Sequence, residues 1–122
     1  MDIGEIIIGA AMRVHTALGP GLLESAYEAC LAYELEKLSL DVKQQLPLPL
    51  VYDGVKLDIG YKLDLLVNSS VVLELKAVEK LLPIHTAQLL SYLKLSGYRV
   101  GYLLNFNVVS MRDGIKRVVN GY

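Results

Sequence analysis

The sequence has little of several residue types on which whole classes of protein depend. It contains one cysteine, Cys30, so an internal disulfide framework is excluded. It has no tryptophan, one phenylalanine and eight tyrosines, which are few aromatic side chains for an extended base-stacking platform. Neither sign of charge dominates, because 12 Lys and Arg face 13 Asp and Glu for a net charge of −1. This balance excludes the strongly basic surface of a dedicated nucleic-acid-binding protein.

Long apolar runs and nucleotide-binding loops are also missing. No apolar run approaches the length of about 18 residues that a membrane-spanning helix requires. The short run over residues 6–12 follows Asp2 and Glu5 rather than Lys or Arg, which is not the pattern of a secretory signal. Gly19-Pro20-Gly21 lacks the glycine and lysine that complete a phosphate-binding loop. We therefore expect a cytoplasmic protein that does not bind membranes.

The chain is nevertheless long and apolar enough to form one core. Its 122 residues are 53% hydrophobic, which excludes wholesale disorder and leaves no room for a second domain of ordinary size. Cys30 lies among apolar residues at helical spacing and is expected to be a small buried side chain. We expect a single domain over residues 1–122.

Hydrophobic periodicity and turn residues predict an α/β protein in which a mixed sheet is flanked by helices. The Asp53-Gly54 pair predicts a tight hairpin turn, and prolines 47 and 49 place the strand before it at a sheet edge. The predicted helices are Ile3–Leu18, about Leu22–Leu38 and Pro83–Ser96, and the predicted strands are Gln45–Tyr52, Val55–Val67 with a bend at Gly60, Val71–Val78, Tyr98–Asn105 and Ile115–Val119. The third helix has the position of a crossover between two strands of one sheet.

Three charged residues interrupt two of the apolar strands. Glu74 and Lys76 share one face of their strand, because side chains alternate along a strand. A three-residue turn at residues 68–70 would place Asp64 directly opposite Glu74, with Cβ atoms about 4.5–5.5 Å apart. The sequence therefore predicts two facing carboxylates with a lysine beside them.

Two facing carboxylates repel each other, and burial raises that cost. A divalent cation between Asp64 and Glu74 would offset it, since hard cations prefer carboxylate oxygens. Such a cation polarises a phosphoryl oxygen and activates water, and Lys76 can orient that water or stabilise charge on the phosphate. The spacing fits a solvated surface strand with a Glu–Lys pair equally well.

Further polar residues admit both a functional and a structural interpretation. Gln88 and Tyr92 lie four residues apart and His85 lies three before Gln88, so one helix face can carry all three. A solvent-facing polar surface explains Gln88 and Tyr92 equally well, and a structural role is favoured for His85 and His15. Scattered basic residues are candidates for a phosphate-binding rim but are more typical of solvated surface: Lys80, Lys94, Arg99, Arg112, Lys116 and Arg117.

Residues 21–27, Gly-Leu-Leu-Glu-Ser-Ala-Tyr, resemble the signature of the GxxExxY protein family, which is placed in the PD-(D/E)xK nuclease superfamily. The resemblance extends over nearly the whole chain. It includes residues 61–67, 73–78, 88–93 and 103–106, in order and at suitable spacing. It implies a restriction-endonuclease-like core.

The resemblance also implies a role for each matching residue. Asp64 and Glu74 would be the acidic metal ligands, the backbone carbonyl of Leu75 would complete the shell, and Lys76 would be the catalytic lysine. The cation would be Mg²⁺ or Mn²⁺. Leu63 stands where the superfamily name has proline, at a position that varies widely.

Three helical residues match supporting positions of the same superfamily. Glu24 resembles the extra helical acid that some branches place beside the metal, although the helix dipole alone also favours an acid there. Gln88 and Tyr92 resemble the QxxxY helix of RecB-type nucleases. We therefore expect a metal-dependent nuclease that acts on DNA or RNA.

The alternative is a noncatalytic nucleic-acid-binding or homo-oligomeric assembly module on the same fold, because a fold alone does not fix function. Ile6, Ile7 and Ile8 cannot all face one core from a single helix, so part of the first helix is available to another subunit.

Overall fold

One mixed five-stranded sheet carries α-helices in the computed structural model, which describes residues 2–121. The elements in chain order are α1 Ile3–Leu18, α2 Glu24–Lys37, β1 Val42–Tyr52, β2 Val55–Val67, β3 Val71–Lys76, α3 Pro83–Ser96, β4 Val100–Asn105, a short 3₁₀ helix Met111–Gly114 and β5 Ile115–Val119. The predicted mixed sheet flanked by helices is confirmed. Within the described residues, no helix is long and apolar enough to cross a membrane.

The helix ends follow from the residues that occupy them. α1 stops before Gly19, and α3 begins with Pro83 and stops before Gly97, whose φ of +84° favours glycine. The predicted bounds of α1 and α3 are confirmed. α2 begins at Glu24, two residues later than predicted. Leu22 remains in the loop, where its backbone N–H donates to the hydroxyl of Tyr27 from α2.

The strand order in the sheet is β1-β2-β3-β4-β5. The first three strands form an antiparallel meander, α3 crosses over so that β4 runs parallel to β3, and β5 returns antiparallel to β4. The predicted crossover is confirmed. Asp53 and Gly54 both have positive φ, as a two-residue hairpin turn of this type requires. β3 ends two residues earlier than predicted, because the N–H of Val78 donates to the Asn105 side chain rather than to a strand.

Apolar side chains fill both faces of the sheet. Under α1 and α2, the core contains Ile7, Leu31, Leu65 and Leu73, all fully buried. Ile6 and Ile8 are only partly buried, as expected for consecutive residues of one helix. The second core lies under α3 and contains Leu48, Leu63, Leu66, Val72, Leu89, Leu93, Leu103 and Val118.

Tyr27 holds the loop between α1 and α2 closed. Its hydroxyl donates to the carbonyl oxygen of Gly19 at 2.6 Å and accepts from the N–H of Leu22 at 3.0 Å. Its ring is fully buried and stacks on Phe106, with centroids 4.6 Å apart and an angle of 9° between the planes. One side chain therefore ties the start of α2 to the end of α1 and to the strand layer.

Replacing Tyr27 with phenylalanine should lower the free energy of unfolding by about 1–3 kcal/mol, because both hydrogen bonds are lost and the stacked ring is kept. Urea unfolding followed by circular dichroism measures this. Tyr33→Phe on the same helix is the matched control, since Tyr33 is 62% exposed. Equal unfolding midpoints for Tyr27→Phe, Tyr33→Phe and wild type would contradict this role of the hydroxyl.

Candidate active site

The pairing of β2 with β3 sets up the site. Val67 pairs with Val71 and Leu65 pairs with Leu73, so the predicted register is confirmed. The next row would hold Asp64 opposite Glu74, and regular backbone pairing stops before it. Beyond the last pair, the two carboxylates accept backbone N–H groups of the opposite strand. The Asp64 N–H donates to Glu74 Oε2, and the Leu75 N–H donates to Asp64 Oδ2, each at 2.9 Å.

Glu74 is the most deeply buried acidic side chain among the described residues, at 5% exposure. Burial raises the pKa of its carboxyl from 4.5 to about 8, and the neighbouring charge of Asp64 adds to the shift. The hydrogen bond from the Asp64 N–H and the charge of Lys76 act in the opposite direction. The pair therefore needs a proton or a further positive charge at neutral pH.

α3 places two of the predicted residues beside the strand carboxylates. Lys76 Nζ donates to Gln88 Oε1 at 3.3 Å. One helical turn later, the pKa of Tyr92 is raised by burial and then by the charges of Glu74, Tyr61 and Asp64. The structure thus brings Asp64, Glu74, Lys76, Gln88 and Tyr92 to one place, where β2 and β3 meet α3.

The edge strand β1 completes this place in a way that sequence reasoning missed. Gln45 lies between the paired rows Gln44–Leu65 and Leu46–Leu63, next to Asp64, and has a left-handed φ of +51°. Holding a non-glycine residue in the left-handed conformation costs about 1–3 kcal/mol of folding free energy. Such strained residues often lie at functional sites. The Gln45 amide donates to Asp64 Oδ1 at 3.3 Å and to Glu28 Oε1 at 2.7 Å.

Glu28 on α2 is the third carboxylate near the strand pair, and sequence reasoning did not select it. Its second oxygen accepts from Gln44 Nε2 at 3.3 Å. Burial and the charge of Asp64 raise the pKa of Glu28, and the two glutamine hydrogen bonds lower it. Glu28 lies four residues after Glu24 on the same helix face, but this spacing does not distinguish it from the other glutamates of α2.

Glu24 itself is exposed at the first residue of α2. Its charge adds to the increase in the pKa of Glu28, as the smallest of the causes. Glu24 therefore acts on the site only through the effect of its charge on Glu28.

The two histidines have structural contacts. His85 Nδ1 accepts from the Leu82 N–H at 2.9 Å and so caps the start of α3. His15 is buried, and its Nε2 lies 2.7 Å from the carbonyl oxygen of Val108. Cys30 is partly buried and packs against the core under α1 and α2. The six basic residues considered for a phosphate rim are all exposed.

The donor chemistry of the strand pair fits a hard divalent cation. Among residues 2–121, no group of three or more His, Cys, Asp or Glu side chains is arranged to hold a metal ion. Asp64 and Glu74 supply two carboxylates, and Mg²⁺ is commonly bound by one or two carboxylates together with water and substrate phosphate. Burial and the charge of Asp64 disfavour the charged form of Glu74 and raise its pKa, and a bound divalent cation would favour the charged form.

Glu74 should make the stability of the metal-free protein depend on pH. The folded protein holds the Glu74 proton up to about pH 8, whereas an exposed carboxyl releases it near 4.5. The free energy of unfolding therefore falls as pH rises through this window, with a slope of up to about 1.4 kcal/mol per pH unit. Glu74→Gln should flatten the curve in chelator-treated protein, and Glu36→Gln, at an exposed position of α2, should keep the wild-type slope. Parallel curves for wild type and Glu74→Gln would be the contrary result.

Comparison with models of protein families matches residues 1–118 to the PD-(D/E)XK nuclease superfamily. No curated protein and no solved structure is significantly similar to the chain. The match covers nearly the whole sequence, and the mixed sheet flanked by helices is consistent with the fold of that superfamily. The chain belongs to the PD-(D/E)XK nuclease superfamily.

Proposed function

We propose that the protein is a divalent-metal-dependent nuclease that hydrolyses phosphodiester bonds in DNA or RNA. The observation that carries the proposal is the pair of Asp64, which is partly buried, and Glu74, which is buried, at the end of the β2–β3 ladder, with Lys76 two residues further along β3. Placing two carboxylates there costs folding free energy, and a catalytic role explains why the chain retains them.

Asp64 and Glu74 would hold the cation, Mg²⁺ or Mn²⁺, and the backbone carbonyl of Leu75 would be a further ligand. When bound, the cation would supply Lewis acidity toward a phosphoryl oxygen and toward water. Each carboxylate uses one oxygen to accept a short backbone N–H bond. These bonds fix the orientation of both side chains. The cation would be held by the other oxygen of Glu74 and by Asp64 Oδ1, where it would replace the 3.3 Å hydrogen bond from the Gln45 amide.

Lys76 supplies a positive charge beside the carboxylates. Its ammonium group can hold the attacking water and stabilise negative charge that develops on the phosphate. Gln88 accepts a hydrogen bond from this ammonium group and so acts on its orientation from α3. Tyr92 forms the adjoining wall of the site, within electrostatic range of Glu74.

Glu28 is proposed to support the cation through Asp64 rather than as a third ligand, because the described residues include no group of three carboxylates arranged around one metal position. It shares the Gln45 amide with Asp64, so the two carboxylates lie on either side of one donor. Gln44 and Gln45 fix the orientation of Glu28 by hydrogen bonds, and the Gln45 amide also links it to Asp64. Glu24 supports Glu28 through its charge rather than by contact with Asp64.

We further propose that the chain belongs to the GxxExxY branch of the superfamily. The contacts of the signature residues support this assignment. Gly21 has a φ of +101°, which favours glycine, and the Tyr27 hydroxyl closes the loop around it. Two of the three signature residues are thus explained by the loop that begins α2, and Glu24 is left to act through its charge on Glu28.

Asp64→Ala should reduce metal-dependent cleavage of a labelled oligonucleotide by at least about a hundredfold, because the cation loses a ligand. Lys76→Met should cause a similar loss of turnover and leave Mn²⁺ binding intact, since Lys76 is not a ligand. Lys37→Met is the control, because Lys37 is exposed and paired with Glu34 on α2. Wild-type cleavage by a folded Asp64→Ala protein would exclude this site.

Glu28→Gln should raise the Mn²⁺ concentration for half-maximal cleavage by about tenfold or more, as loss of a metal-supporting side chain commonly does. Glu24→Gln should have a smaller effect, because Glu24 is exposed and acts only through Glu28. Titration of Mn²⁺ in the cleavage assay compares the two. An effect confined to Glu24→Gln would reverse the assignment of the helical acid.

A further inference from the structure

A groove of about 300 Å³ borders the candidate active site. Its wall combines apolar, aromatic and amide side chains from three elements: Leu50, Tyr61, Gln88, Ser91, Tyr92 and Leu95. Its volume lies at the lower end of the range for small-molecule sites, about 300–1,000 Å³. The metal chemistry described above uses Gln88 and Tyr92 but leaves the rest of this groove without a role.

Tyr61 gives the groove an accessible aromatic face. Its side chain on β2 is 40% exposed, and its ring lies 5.7 Å from the ring of Tyr92 with an angle of 47° between the planes. The two rings already contact each other at this distance. A flat ring can therefore stack on the open side of Tyr61, and cannot enter between the two tyrosines.

A strand irregularity places Tyr61 in this position. Tyr61 pairs with Leu48, and the next paired row joins Leu57 to Leu50, so β2 carries extra residues around Gly60. Gly60 has a φ of +90°, a backbone conformation that glycine adopts readily and that residues with a side chain rarely adopt. Bulges of this kind re-aim side chains and are common next to active sites.

The groove and the catalytic residues are continuous. Gln88 lines the groove and accepts the hydrogen bond from Lys76. Tyr92 lines the groove and lies within electrostatic range of both Glu74 and Asp64. A group bound on Tyr61 would therefore lie one side chain away from a phosphate held at the carboxylate pair.

The charge of the chain indicates which part of a nucleic acid the groove recognises. Tight binding through phosphates alone requires many Lys and Arg contacts, and the net charge here is −1. Base stacking on an aromatic side chain supplies affinity without positive charge and tolerates any base, because every base has a flat π face. In a duplex that face is covered by neighbouring bases, so the base must be unpaired.

We propose that this groove binds one unpaired nucleobase of the substrate, stacked on Tyr61, and that the substrate is therefore single-stranded nucleic acid or a strand with an unpaired nucleotide at the cleavage position. The inference rests on the proposed nuclease function for the adjoining site. The amide of Gln88 and the hydroxyl of Ser91 provide hydrogen-bonding groups for the edge of the base.

Binding without cleavage tests the inference directly. The inactive Asp64→Ala protein, in chelator, is titrated into a fluorescein-labelled single strand of about 12 nucleotides, a length within known single-strand site sizes. Fluorescence anisotropy should show binding to the single strand at least about tenfold tighter than to the same strand in a duplex. Adding Tyr61→Leu should weaken single-strand binding by roughly 5- to 100-fold, and Tyr61→Phe, which keeps the ring, should not.

Two controls separate base stacking from general effects. Tyr33→Leu removes an exposed tyrosine on α2, 62% exposed against 40% for Tyr61, and should leave binding unchanged. A fully abasic strand of the same length keeps the phosphates and lacks bases, so it should bind weakly and should be insensitive to Tyr61→Leu. The abasic comparison needs no substitution in the groove, so it decides the question even if Tyr61→Leu fails to fold.

Equal affinity for single strand and duplex, equal affinity for the abasic and normal strands, or no measurable binding by the folded protein would each overturn the inference. These outcomes are distinct from failure of the nuclease proposal. Metal-dependent cleavage of duplex alone would retain the nuclease function and remove the base-binding groove. Tyr61-dependent binding without any cleavage by wild type would retain the base-binding groove and remove the nuclease function.

Discussion

The structure depends on one local conflict, in which two carboxylates occupy a row of the sheet where backbone pairing should continue. Asp64 and Glu74 lie in the row that follows the last β2–β3 pair, and each accepts a backbone N–H of the opposite strand. The hydrogen bonds stabilise the two carboxylates in part. They do not remove the repulsion between Asp64 and Glu74 or the desolvation of Glu74. Part of the negative charge is compensated by neighbouring groups. The Lys76 charge lowers the pKa of Glu74, and the amides of Gln44 and Gln45 donate hydrogen bonds to the nearby carboxylates.

Much of this arrangement is encoded over short distances, which is why it could be predicted from the sequence. The three-residue turn before Val71 fixes the register of β2 with β3, and the two-residue turn at Asp53-Gly54 fixes that of β1 with β2 as far as the irregularity near Gly60. Side-chain alternation then places Glu74 and Lys76 together, and the register places Asp64 opposite Glu74. The bounds of α3 followed from its proline and glycine, and its role as a crossover followed from its position between two strands.

The parts that could not be predicted depend on distant contacts or on unusual backbone conformation. Gln45 lies in a run that is typical of an ordinary edge strand, and nothing in the sequence marks its left-handed φ. Glu28 is one of several glutamates on α2, and its proximity to Asp64 arises only when α2 packs on the sheet. The signature residue Glu24 drew attention first, because a sequence motif is visible before the packing that places its neighbour.

The central claim is that Asp64 and Glu74 hold a divalent cation, and calorimetric titration of Mn²⁺ at neutral pH tests it most directly. The account predicts saturable binding to chelator-treated wild type, competition by Mg²⁺, and loss of that binding in Glu74→Gln but not in Glu36→Gln. Absence of Mn²⁺ binding to folded wild type, or unchanged binding in Glu74→Gln, would contradict the account.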